Sequence, residues 1–319
     1  MSVTGLWAGP DAPRPLDAAL TDRQPRPADW LAAQGPKERR ALWGCLDSQL
    51  LLGERVLVHE VENGWARVTA LQQPSIRDGA GYPGFVPAHH LRPAATAMAA
   101  ATVTATSDRR VVVHQPVTAI RDAPSGNVAM SDVSFATVLP VTDRTGASVA
   151  VRLPGGVIGW LPGSHVEDVR PPHVLPTGEE LVAAGQQFLG VRYLAGGVHG
   201  SSFDCSGLVH ALFRRFGLTV PRDAGDQVSL GTEVAVDEAS FGDLMFFTNP
   251  STGDIYHVGI CVGLPRMLHA SQTDWAVIDT PVPQRRIGHL SHVRRLRSGC
   301  APAPPGSPLG RQDPSSWNI

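Results

Sequence analysis

A cysteine at position 205 stands in the run SSFDCSGL (201–208), directly ahead of the stretch LVHALFRRFGL. A thiol attacks carbonyl carbon as its thiolate, and a free thiol carries little thiolate at neutral pH. A helix N-terminus helps, because its unpaired N–H groups and its dipole stabilise an anion. Ser206 and Gly207 are small enough to leave room for a substrate. A lone cysteine is more often a core residue than a nucleophile. The chemistry therefore depends on a base, and on a group that orients the base.

Histidines 257 and 269 answer that requirement. In YHVGICVG (256–263) alternation turns His257, Gly259 and Cys261 to one face and Val258, Ile260 and Val262 to the core. In RMLHAS (266–271) Met267 and His269 share a face. A short hairpin near Gly263 pairs the strands antiparallel and sets His257 opposite His269 to within one position, roughly 5 Å apart at Cβ. Gly259 and Gly263 are expected to keep that side open for a helix end or a substrate. Nucleophile, base and orienting group together point to cysteine-based catalysis.

The remaining chemical side chains read as bland. His289 and His292, in GHLSH, have no third ligand and no H-E-x-x-H pattern, so no metal site is expected. His89 and His90 read as surface turn residues, Cys261 as packing, and Cys45 and Cys300 as inert. No organic cofactor is implied.

The elements that must position these groups fall in two blocks. Residues 178–190, GEELVAAGQQFLG, have helical spacing and a capping signal, Thr177 with Glu180. A second helix follows Cys205, with Leu208, Leu212 and Phe216 on its apolar face and Gly217 to end it. Strand-like runs follow at 243–248, 256–263 and 266–271, the order of an α+β domain. Upstream, GFVPAHHL (84–91) and GWLPGSHV (159–166) match as copies, each after a strand-like stretch, which predicts two small β-barrels. The 33 Gly and 28 Pro suit many short strands and turns. The expected division is an N-terminal extension over 1–37, barrels over 38–95 and 106–172, an α+β domain over 176–298, and a Pro/Ser-rich tail over 299–319.

Bulk properties narrow the partners. A net charge of -2 without a basic block argues against nucleic acid. No stretch is long and apolar enough to span a bilayer, so no membrane partner is expected. MSVTGLWAGPDAPRPLD lacks a basic region followed by an apolar one, and the four cysteines form no C-x-x-C pair. A cytoplasmic location is the expectation, with secretion the alternative.

YLAGG (193–197), SFDCSGLV (202–209), GDLMFF (242–247), HVGICVG (257–263) and MLHAS (267–271) resemble, in order and spacing, the NlpC-type cell-wall cysteine peptidases. G-[WF]-[VL]-P segments resemble bacterial SH3-like domains. With two such domains in front, the chain is similar to the family's γ-D-glutamyl-L-diamino acid dipeptidyl-peptidase branch. The resemblance implies a papain-like α+β domain behind two SH3-like barrels. It implies Cys205 as nucleophile, His257 as base and then acid, His269 as orienting residue, and Tyr193 with the Cys205 N–H at the oxyanion. Asp204, Ser206 and Asp223, with Glu54 and Tyr82 from the first barrel, would hold a substrate's free amine. Ala195 stands where the family often has Trp, and Ala224 where the branch often has Ser. The implied partners are murein-derived peptides beginning L-Ala-γ-D-Glu. The alternatives are a secreted wall endopeptidase or amidase, and a non-catalytic wall-peptide binder.

Overall fold

A computed structural model describes residues 1–93 and 109–296. The expected tail over 299–319 and Cys300 lie outside the described residues. Three sheets organise the chain. The first, in spatial order, is β2 (Leu46–Leu51), β1 (Val3–Trp7), β5 (Tyr82–Pro87), β4 (Trp65–Ala70) and β3 (Val56–Glu62). The second contains β6 (Arg110–Val113), β7 (Val117–Arg121), β8 (Val128–Ser134), β9 (Val138–Thr145), β10 (Ser148–Arg152), β11 (Ile158–Pro162) and β12 (Val166–Asp168). Its order is β12-β6-β9-β10-β11-β7-β8. Strands β7 to β11 therefore repeat the connectivity of β1 to β5.

The repeat extends to individual bonds. Trp7 pairs with Phe85 and Arg121 with Trp160, which puts the two aromatic residues of the matched sequence segments in equivalent places. Three residues before those pairs, Thr4 and Thr118 each hydrogen-bond through Oγ1 to Nδ1 of His90 and His165, both at 2.7 Å. His90 is thus buried rather than a surface turn residue. Burial, foremost, lowers its pKa to about 4.

The boundary expected at residue 37 is corrected by the pairing of β1. Val3–Trp7 lies between β2 and β5, so it is an inner strand of the first barrel and not an extension. Residues 8–45 are an excursion between β1 and β2, with short helices at Pro27–Ala32 and Pro36–Arg40. The equivalent connection in the second barrel is the short turn 122–127. The excursion's Leu20, Trp30, Leu31 and Leu42 form one apolar cluster with Trp7, Leu46, Leu194, Ala195 and Val198.

The third sheet holds β13 (Arg192–Tyr193), β14 (Val198–His199), β15 (Ser202–Phe203), β16 (Thr232–Val234), β17 (Leu244–Thr248), β18 (Ile255–Cys261), β19 (Arg266–Ser271), β20 (Ala276–Pro281) and β21 (Leu290–Arg295). Against it pack the helices Gly178–Gln186 and Cys205–Arg215. The first carries the expected capping box, Thr177 with Glu180. The second is buried on every side rather than on one stripe. The reason is that both barrels close over it. Arg214 donates to Glu54 of the first barrel and to the Ala136 carbonyl of the second, and Arg215 pairs with Glu167. Phe135 and Ala136 join the same core as Leu208, Leu212 and Phe216. Gln49 on β2 accepts from the N–H groups of Val198 and His199.

Candidate active site

Asp204 is the N-cap of the helix Cys205–Arg215, accepting from Gly207 N at 2.6 Å, so Cys205 occupies the first helical position. Strand β15 ends at buried Phe203 and leaves the Asp204 cap in extended backbone. Gly207 packs directly against the Gly197 carbonyl, where a Cβ would sit 2.0 Å from the oxygen. That close approach locks the helix start against the turn after Tyr193. Cys205 retains partial exposure. Burial, then the Asp204 carboxylate, push its thiol up to about 11, against the N–H groups of Val258 and Ser206 and the Arg286 cation. The resting nucleophile is a neutral thiol.

His257 Nε2 and His269 Nδ1 lie 2.7 Å apart, with the rings nearly perpendicular. The strand register differs from direct opposition. Ile260 pairs with Leu268 and Cys261 with Met267, which continues to Gly259 across from His269. The two histidines are diagonal neighbours. Gly259 lets them meet, because a Cβ there would press on His269 Cβ at 3.4 Å and Met267 Sδ at 3.0 Å. Gly263 is instead a turn residue with φ +95 and open space around it.

Both imidazoles are held neutral. Burial, then Arg286, push His257 well below 6.5 and His269 to about 3. Since His257 Nε2 is engaged with His269, Nδ1 is the nitrogen available to the Cys205 side of the cleft. A proton on His257 Nε2 donated to His269 Nδ1 then fixes the second proton on His269 Nε2, which is buried without a partner. A neutral thiol beside a neutral, oriented imidazole can pass its proton to that base as it attacks a carbonyl.

Tyr193 is buried, and burial, followed by the nearby thiol and Asp204, raises its hydroxyl well above the ordinary value. It stays a phenol, suited to donating a hydrogen bond. The indole N–H of Trp43 is directed at that hydroxyl. Trp275 meets the Tyr193 ring edge-on at 5.9 Å and sits at φ 56, a conformation bulky residues rarely take. Its carbonyl is held by Tyr193 N at 2.8 Å and Arg39 Nη1 at 3.3 Å. The excursion 8–45 therefore supplies a wall of the cleft.

The expected amine-binding residues divide. Tyr82 and Asp223 come together, the hydroxyl donating to Oδ2 at 2.9 Å. Asp204 and Ser206 are instead engaged with Arg222, whose Nη2 lies 2.6 Å from Asp204 Oδ2 and whose Nη1 donates to Ser206 Oγ at 3.0 Å. Gly196 N and Gly207 N complete the shell of Asp204, so both residues position the helix start. Glu54 is also corrected. Its side chain is 1% exposed and paired with Arg214, nine residues along the helix from Cys205, or about 13 Å.

Asp47 takes the place expected of Glu54. It lies on β2, 3.3 Å from Arg77, whose guanidinium stacks over the Tyr82 ring. Burial raises the carboxyls of both Asp47 and Asp223, and the Asp223 charge raises Asp47 further. Arg222, 3.9 Å from Asp223, ties this acidic pocket to the helix start. Asp47 carried no sequence signal beyond being an acid on a strand. Arg222 stood beside the acid already singled out in PRDAGDQ. His289 bonds to Tyr256, and among the described residues no group of three or more His, Cys, Asp or Glu side chains forms a metal site.

Comparison with known proteins agrees with this geometry. The profile of the NlpC/P60 family matches residues 190–292, and that of the YKFC SH3b2 domain matches residues 113–167. A "Gamma-D-glutamyl-L-lysine dipeptidyl-peptidase" of Bacillus subtilis is 33% identical over 277 residues, 85% of this chain and 88% of the relative. A protein of the same description from Bacillus cereus is 30% identical over 287 residues, covering 88% and 85%. The crystal structure of an NlpC/P60 family protein from Bacillus cereus matches with a TM-score of 0.84 at 29% identity, over 92% of this chain and 96% of that one. With a papain-like α+β domain behind SH3-like barrels, a thiol at a helix start and paired imidazoles on neighbouring strands, this chain belongs to the NlpC/P60 family of cysteine peptidases.

Proposed function

We propose that this enzyme hydrolyses the γ-D-glutamyl–diamino acid bond of murein peptides with a free N-terminal L-Ala, releasing L-Ala-γ-D-Glu. The observation that carries the reading is the pocket of Asp223, Asp47 and Tyr82, linked through Arg222 to Asp204, the residue before Cys205. Two partly buried carboxyls, raised by burial against the pull of Arg77 and Arg222, gain from a further positive charge. A substrate ammonium supplies it, and an acylated amine leaves the carboxyls unpaired, which costs binding. The relatives described as γ-D-glutamyl-L-lysine dipeptidyl-peptidases support the bond assigned.

In this mechanism His257 Nδ1 takes the thiol proton as Sγ attacks the γ-carbonyl. The Cys205 N–H and the Tyr193 hydroxyl receive the oxyanion. Collapse breaks the C–N bond, and the imidazolium returns its proton to the leaving amine. Water, deprotonated by His257, then releases the dipeptide from the thioester. Each bond made and broken needs only this chain and water. The reading places the reaction in the cytoplasm, which fractionation of the producing cell tests.

The test compares L-Ala-γ-D-Glu-L-Lys with its amine free and acetylated, in wild type and Cys205→Ala. Cleavage of the free peptide alone, lost in the variant, is expected. Equal cleavage of both peptides, or activity surviving in Cys205→Ala, would falsify the assignment.

A further inference from the structure

On the histidine side of the cleft stands a cation that no carboxylate among the described residues neutralises. Arg286, on the short helix Gln284–Ile287, is 5% exposed. Its Nη1 is buried and makes no hydrogen bond. The other buried arginines all have partners: Arg214 with Glu54, Arg215 with Glu167, Arg222 with Asp204, and Arg39 with the carbonyls of Tyr193 and Trp275. Among the described residues no carboxylate lies within ion-pair distance of Arg286. Its neighbours are the faces of Tyr256 at 5.4 Å and Phe247 at 5.8 Å, which hold a cation but do not cancel it.

Arg286 belongs to the reaction centre by position. Its charge acts on His257, His269 and Cys205, and its own pKa is lowered by burial while Tyr256, Cys205 and Tyr193 act on it in the opposite sense. Folding a guanidinium into such a place without a counter-charge is unfavourable. An enzyme that needed only neutral imidazoles would achieve that by burial, which is already the largest cause for both. A planar fork with a free N–H matches a carboxylate.

We infer that Arg286 binds a substrate carboxylate flanking the scissile amide, making the enzyme selective for an acid over an amide at that position. The inference rests on the proposed reaction. Two carboxylates of such a substrate qualify. One is the α-carboxylate of the γ-linked glutamyl residue, separated from the scissile carbonyl by three carbons. The other is the carboxylate of a terminal diamino acid on the leaving side. With the acidic pocket at the amine end, the substrate would be held at both ends by opposite charges, and its reacting carbonyl fixed between them.

Three synthetic peptides separate the sources: L-Ala-γ-D-Glu-L-Lys, the same with a glutamyl α-carboxamide, and the same with a C-terminal carboxamide. Wild-type enzyme is expected to lose roughly 10- to 100-fold in kcat/KM on one of the two amides. Arg286→Gln is expected to cleave that amide and the parent acid equally, with Arg286→Lys keeping part of the preference. Equal kcat/KM of the wild type on all three overturns the inference while leaving the reaction in place, and needs no variant to fold. Full acid preference surviving in Arg286→Gln overturns it too, because another group then holds the carboxylate. A shifted pH profile in Arg286→Gln with no change in selectivity does the same, since it assigns the cation to the imidazoles alone. If the wild type cleaves none of the three, the proposed reaction fails and takes this inference with it.

Discussion

The two barrels share strand order and the Thr–His bond, yet they meet the catalytic domain in different ways. In the first, Tyr82 stands three residues before Phe85, is 1% exposed and touches Asp223. The equivalent residue of the second, three before Trp160, is Val157, 63% exposed. Asp47 lies where the β1–β2 register slips between Leu6 and Trp7. Ala129, exposed, lies in the matching slip between Ile120 and Arg121. The second barrel contributes mass instead: Phe135 and Ala136 enter the catalytic core, and Leu52 of the first barrel is buried in the second. In the proposed function one copy is a recognition wall and the other a support. Two or three side chains at fixed positions of a common frame made the difference.

That division can be broken experimentally. The largest effect is expected from Glu54→Gln, which strands Arg214 in a buried site and should cost about 3–5 kcal/mol of stability. Chemical denaturation measures it, and selectivity for the free amine should be unchanged in the folded fraction. A change in selectivity would return Glu54 to the pocket. Acid should next weaken the first barrel through His90. Its folded pKa of about 4 lies below the ordinary 6.5, so the unfolded state binds more protons between those values. The stability is complete above pH 6.5 and is lost as the pH falls toward 4, by about 1 kcal/mol per unit. Thermal melts from pH 7 to 4.5, compared with His90→Asn, would show a shallower slope in the variant. His269 and His210, both at about 3, add slopes of the same sign in the catalytic domain.

Asp47→Ala is expected to lower kcat/KM on the free-amine peptide by roughly 10- to 100-fold and to narrow the gap to the acetylated one. Ala129→Asp, its mirror in the second barrel, should change neither. An equal loss in both variants would mean that charge at the barrel surface, rather than the pocket, governs the rate. The smallest effects come from Thr4→Val and Thr118→Val, each expected to cost about 1 kcal/mol. Unequal costs beyond a factor of two would show that the repeated bond has diverged in strength.

The nucleophile and the two histidines were legible because local signals carry them. Asp204 caps a helix one residue before Cys205, and a period-two strand displays His257. The matched G-[WF]-[VL]-P segments likewise marked β5 and β11. What failed depended on distant partners. The register of the β18–β19 hairpin moved His269 two positions, and Gly259 made the contact possible all the same. Asp47 lies on β2 and Glu54 just beyond its end, and the docking of Arg77 and Arg214 sets the partner of each. Val3–Trp7 reads as a short apolar run whose pairing partners begin at residue 46, so nothing local reveals it as a strand of the first barrel.

The excursion between β1 and β2 also sets the order in which the molecule can be completed. Arg39 bonds to the carbonyl of Trp275, 236 residues later, and to Tyr193, 154 residues later. During synthesis β1 emerges first and must wait for β2 and β5, and the excursion must wait until nearly the whole catalytic domain has left the ribosome. Such long-range closure is slow and comes late in folding. The wall bearing Trp43 thus reaches Tyr193 only once the domain behind it is built, and a nascent or truncated chain would hold its thiol in an unfinished cleft. Latency during translation is written into the chain order.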